Sequence, residues 1–103
     1  MAKYQLRFTI PQQRQGERQT YKAFTATLRS LNKLVGKAQG GSVIENVEVS
    51  GGSIRGVAHI EAKNYRDALE LCCRQAPIVD LEWHLEEKLE PEDLERILTS
   101  AMA

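Results

Sequence analysis

The sequence is poor in the features that usually announce a function. It has two cysteines, Cys72 and Cys73, and they are neighbours. Adjacent cysteines do not make an ordinary structural bridge, because bridged Cα atoms normally stand farther apart than chain neighbours. No Cys-x-x-Cys occurs, and His59 and His84 are too far away in sequence to complete a zinc spacing. No metal or other cofactor is therefore expected, and both thiols read as reduced residues on a helix. No run approaches the ~18 apolar residues of a membrane span. The opening Met1-Ala2-Lys3-Tyr4-Gln5 has no apolar stretch after its lysine, so neither export nor membrane association is expected. The expected compartment is the cytoplasm.

The glycines form no phosphate-binding pattern. Gly40-Gly41 and Gly51-Gly52 fit neither Gly-x-Gly-x-x-Gly nor a P-loop, and Gly-x-Ser-x-Gly and His-Glu-x-x-His are absent. Aromatic residues make up only 6%. No Gly-Phe-x-Phe run exists to stack single-stranded RNA on a sheet.

What is present is an ordinary globular composition, 42% hydrophobic and 27% charged over 103 residues, enough for one domain with its own core and too short for two. The formal charge is zero but unevenly placed. Residues 1–40 carry eight Lys/Arg against one Asp/Glu, whereas residues 77–103 carry two against eight. Such asymmetry implies either an anionic partner for the first half or neutralisation between the two ends, within one chain or between chains.

Periodicity supplies the elements. Tyr4, Leu6, Phe8 and Ile10 alternate with Lys3, Gln5, Arg7 and Thr9, the period of a half-buried strand. Pro11 ends it, and a polar loop of residues 12–17 follows. From Arg18 to about Lys37, Phe24, Leu28, Leu31 and Val35 mark an amphipathic helix, with Tyr21 and Leu34 flanking and Gly40-Gly41 as its stop. Two β-rich runs, Val43–Val49 and Ile54–Ala62, enclose Ser50-Gly51-Gly52-Ser53, a hairpin-turn composition. Asn64 with Asp67 three residues on opens a second helix, whose apolar face is Tyr65, Ala68, Leu69, Cys72 and Ala76, and Pro77 stops it. A fourth strand is expected over 78–89, with Val79, Leu81, Trp83 and Leu85 on one face. Pro91, Glu92 and Asp93 suit the start of a last helix, given apolar residues Leu94, Ile97, Leu98 and Ala101 with which to dock.

The order β-α-β-β-α-β, followed by one helix, is the split βαβ pattern. The expectation is a single α+β domain over residues 1–103, a ferredoxin-like sandwich with a four-stranded antiparallel sheet. Its core spans residues 3–89 and an extra C-terminal helix spans 91–102. The resemblance to ferredoxin-like domains is one of element order alone.

Three surfaces are candidates for function. The uncovered sheet face is expected to carry Lys3, Arg7, Thr9, Arg55, Val57, His59, Glu61, Asp80, Glu82, His84 and Glu86. Arg7, His59 and Glu61 should be near neighbours there, and a histidine beside a carboxylate can move protons near neutral pH. The first helix carries Arg18, Lys22, Arg29 and Lys33 on one stripe, with Arg14 and Lys37 extending it. This stripe suits an anionic partner, either an acidic protein surface or the phosphates of a nucleic acid. The acidic C-terminal segment is the third. The favoured expectation is a small non-catalytic binding or assembly module that acts through protein–protein contacts as a homo-oligomer. The alternatives are a dimeric α/β-barrel enzyme using Arg7, His59 and Glu61, and a nucleic-acid binder using the first helix.

Overall fold

In the computed structural model, which describes residues 1–11, 16–50 and 54–102, the first alternating run becomes strand β1, Ala2–Thr9, with Tyr4, Leu6 and Phe8 buried and Lys3 and Arg7 exposed. The remaining elements are α1 (Arg18–Lys33), β2 (Ala38–Gln39), β3 (Ser42–Ser50), β4 (Arg55–Ala62), α2 (Tyr65–Gln75), β5 (Glu82–Glu87) and α3 (Pro91–Met102). The strands form one open sheet in the order β2-β3-β4-β1-β5, every strand pair antiparallel. The architecture is thus α+β, five strands and three helices among the described residues. The expected loop at 12–15 and the tip of the hairpin at 51–53 lie outside those residues.

The fifth strand departs from the four expected, and it comes from a helix that ends early. Gly36 adopts φ +78°, open to glycine at no steric cost, and donates its N–H to the Ile44 carbonyl at 2.8 Å. That bond turns the chain back along β3, so the helix stops at Lys33 and Ala38–Gln39 pair with Ser42 and Val43. Gly40 and Gly41, both with positive φ, make the β2–β3 turn rather than the helix stop.

The strand expected over 78–89 is shorter as well. Ile78–Asp80 form a single 3₁₀ turn, closed by the Leu81 N–H on the Ile78 carbonyl at 2.9 Å. Residues three apart eclipse in such a turn, so Ile78 and Leu81 both point inward while Val79 is 83% exposed. Asp80 therefore leaves the sheet face assigned to it. The second helix follows the sequence reading closely: the Asn64 Oδ1 accepts the Asp67 N–H at 2.9 Å, and Gln75 is the last helical residue before Pro77.

Helices α1 and α2 cover one sheet face. The core between holds Leu6, Phe8, Phe24, Leu31, Ile44, Ala58, Ile60, Ala68, Leu71 and Cys72. Fully buried Thr20 and Thr27 share the inner face of α1, where Thr27 Oγ1 donates to the Ala23 carbonyl at 2.8 Å and so loses no hydrogen bond. Gly56 lies directly beneath the Phe8 ring.

Cys72 is buried among these residues and Cys73 is exposed. Burial is the main cause that pushes the Cys72 thiol up from 9.0 to about 12, with the neighbouring Cys73 adding to it. The folded state holds this proton more tightly than the unfolded chain. The thiol's contribution to stability is therefore complete below pH 9 and is lost as pH rises toward about 12. In the native protein at pH 8, a thiol reagent is expected to modify one cysteine rapidly, Cys73, and the second only on unfolding. Two equally fast thiols would contradict the burial of Cys72.

Candidate functional site

Strand register decides what the uncovered sheet face brings together. Gln5 pairs across to His59 and Glu86, Arg7 to Val57 and His84, Lys3 to Glu61, and Thr9 to Arg55 and Glu82. All of these face away from α1 and α2, because the intervening residues are the buried ones. The membership expected of this face is correct apart from Asp80.

Arg7, His59 and Glu61, however, do not act on one another. The Arg7 guanidinium donates to Glu86. The closest acidic partner of His59 is Glu48 of β3, at 3.7 Å from Nε2. That pairing arises because β3 has an irregularity between Ile44 and Asn46, which sets Asn46 opposite His59 and brings Glu48, opposite Val57, onto this face. Glu61 stands across from Lys3, whose ammonium lies 3.8 Å from Glu45. The His59 Nδ1 is enclosed without a hydrogen-bond partner among the described residues. The face is a lattice of cross-strand charge pairs, largely solvated, each worth a fraction of a kcal/mol. Among the described residues no group of three His, Cys, Asp or Glu side chains is placed to hold a metal.

The first helix presents Arg18, Lys22, Arg29 and Lys33, all exposed and all on the side away from Phe24 and Leu31. None of the four is in an ion pair with a described residue. Arg14 lies outside the described residues, and Lys37 falls beyond the helix, just before β2.

Beside this basic stripe runs a groove the sequence did not disclose. Leu28, Arg29 and Asn32 of α1 face Val47 and Val49 of β3 across a depression of about 310 Å³. Val47 and Val49 are in register with Ala58 and Gly56, which places them on the helix-covered side of the sheet. Strand β3 pairs on its outer side with β2 only through Val43 and Ser42, so from Asn46 onward its edge is open. Alternation alone gives Val47 and Val49 a buried face. It cannot reveal that the cover is incomplete: Val47 packs partly against the core, whereas Val49 is 56% exposed.

The largest departure from expectation is α3. Its apolar residues recur at the spacing of one helical face, but no residue of the helix is buried. Leu94, Ile97 and Leu98 are 46, 52 and 53% exposed and Met102 86%. The docking expected for this helix does not occur among the described residues. The radius of gyration, 15.1 Å, exceeds the ~13 Å of a compact domain of about 100 residues, as a helix held away from the core requires.

No protein-family model matches the chain, and no curated protein is significantly similar to it. The site must be read from its own chemistry. No helix among the described residues is long and apolar enough to cross a membrane.

Proposed function

We propose that the chain is a small non-catalytic assembly module that works through protein–protein contacts and self-associates. The observation that carries this reading is α3. A 12-residue helix is marginal by itself in water, since helices shorter than ~12–15 residues gain most of their stability from packing. An apolar stripe with no burial in its own chain points to a surface outside that chain. The charge-paired sheet face supports the reading from the other side, because small-molecule pockets are mostly apolar and this face is not.

We infer a ferredoxin-like core as the frame that carries α3. The order β3-β4-β1-β5 of the four longer strands supports that inference, with β2 read as an addition at one edge. The cytoplasm is the compartment we infer, and free Cys72 and Cys73 support it. The unpaired basic stripe on α1 supports an anionic partner surface. Sedimentation equilibrium at micromolar concentration tests the reading: the expected mass is twice the 11.6 kDa of one chain, and 11.6 kDa at every concentration would overturn it.

A further inference from the structure

We propose that α3 of one copy lies in the groove between α1 and β3 of a second copy, and that the two copies exchange these helices reciprocally in a closed two-fold dimer. The inference rests on the assembly reading above and assigns its interface.

Three observations select this occupant. The first is apolar fit. The stripe Leu94, Ile97, Leu98 and Met102 has no cover among the described residues, and the groove presents Val49, which is exposed, beside the outer sides of Leu28 and Val47, which pack only partly against the core. The second is charge. Glu92 and Glu95 flank the α3 stripe on one side and Asp93 on the other, whereas the bank of the groove formed by α1 carries Arg29 with Lys22 and Lys33 behind it. An acidic amphipathic helix meets an apolar trough with a basic rim. Asp93 already holds Arg96 at 3.1 Å, whereas Glu92 and Glu95, the other two acids of α3, pair with no described residue. Pairing α3 with α3 instead would match the apolar stripes but leave the basic rim unanswered.

The third is reach. Helix α3 leaves the sheet from β5, at one edge, and the groove lies on β3, separated from β5 by β1 and β4. Three strand spacings are ~14 Å, and the link of Lys88, Leu89 and Glu90 covers at most ~14 Å when fully extended, but the Lys88 N–H is held by the Lys3 carbonyl at 2.8 Å, which keeps the start of the link at the β5 edge. The groove is also on the side covered by α1 and α2, so α3 would have to pass outside both helices to enter its own. A second copy meets no such obstruction. Reciprocal exchange uses the same two patches on both subunits and closes the assembly at two.

Full-length variants test this by sedimentation and circular dichroism. Ile97→Asp and Val49→Asp alter side chains that are more than half exposed, so each is expected to keep the folded core, with the wild-type thermal transition measured where both proteins are monomeric and at most the helical signal of α3 lost with the dimer. Each should also weaken dimerisation on the order of 100-fold, since the change occurs twice per dimer. Arg29→Glu and Glu95→Arg are each expected to weaken it roughly tenfold. A mixture of the Arg29→Glu chain with the Glu95→Arg chain should form heterodimers, because one groove then meets its native helix and the other meets a pair with both charges reversed. If wild type dimerises but Val49→Asp or Arg29→Glu dimerises as well as wild type, the groove assignment fails while the assembly reading stands. Pairing of α3 with α3 would give that result. A ladder of larger oligomers would overturn the closed exchange. A wild-type monomer at all concentrations would end both.

Discussion

Gly56→Ala is expected to lower folding stability by about 2–3 kcal/mol, through overpacking of a filled core. A Cβ built on Gly56 would stand 2.3 Å from Cζ and 2.4 Å from Cε2 of Phe8. The ring cannot retreat easily. Phe8 is buried near the C-terminal end of β1, and its ring centroid lies 5.4 Å from that of Phe24 on α1. Gly56 does not have a positive φ, so backbone strain adds nothing, and the gain from replacing glycine in a strand offsets only ~0.5–1 kcal/mol. The loss should appear as a fall in Tm of roughly 10–20 °C for a domain of this size. The cause can be isolated. In a Phe8→Leu background the ring is gone, so Gly56→Ala should cost much less there, and the two changes should couple strongly in a double-mutant cycle. Equal cost in both backgrounds, measured at one protein concentration, would place the effect elsewhere.

The coupling of Gly56 to Phe8 illustrates what the sequence could and could not convey. Alternation in β1 and β4 located both residues, and Phe8 was recognisably a core residue. That Gly56 lies beneath that ring is a matter of register, which depends on pairing between strands distant in sequence. The elements set by local chemistry were legible: the Asn64 cap, the stop before Pro77, the start of α3 at Pro91. Those set by a partner elsewhere in the chain were not. The end of α1 is decided by a hydrogen bond from Gly36 to Ile44 in β3, and a helical pattern continuing to Val35 gave no warning of it. The fourth strand lost its first residues because Ile78 and Leu81, three apart, are both buried, a spacing that a period-two reading passes over.

The functional surfaces divide in the same way. Membership of the sheet face followed from alternation, since each residue needs only the correct parity. Arg7, His59 and Glu61 are neighbours on that face, as alternation implies, but their ion-pair partners are set by the β3 irregularity and by β5: His59 lies beside Glu48, and Arg7 holds Glu86. The basic stripe on α1 is a property of one helix and was legible. The apolar stripe on α3 was legible too, but a stripe does not say what covers it. Only the structure shows that no described residue does so, and that a groove with an apolar wall and a basic rim lies toward the far edge of the sheet.

Amide hydrogen exchange followed by mass spectrometry across a dilution series tests this most directly. Well below the dimerisation constant, α3 amides should exchange nearly as fast as an unstructured peptide, because an unpacked 12-residue helix opens at little cost. The amides of β1 and β4, at the centre of the sheet, should stay protected throughout. As concentration rises through the dimerisation constant, protection of α3 should climb by a factor on the order of 100, matching the binding energy that opening must then overcome. The groove segment of β3 from Asn46 to Ser50 should gain protection over the same range. Protection of α3 that is equally high at every dilution would mean the helix docks within its own chain. Dimer formation with α3 still exchanging freely would mean the helix has no part in the interface, and either result would contradict the account.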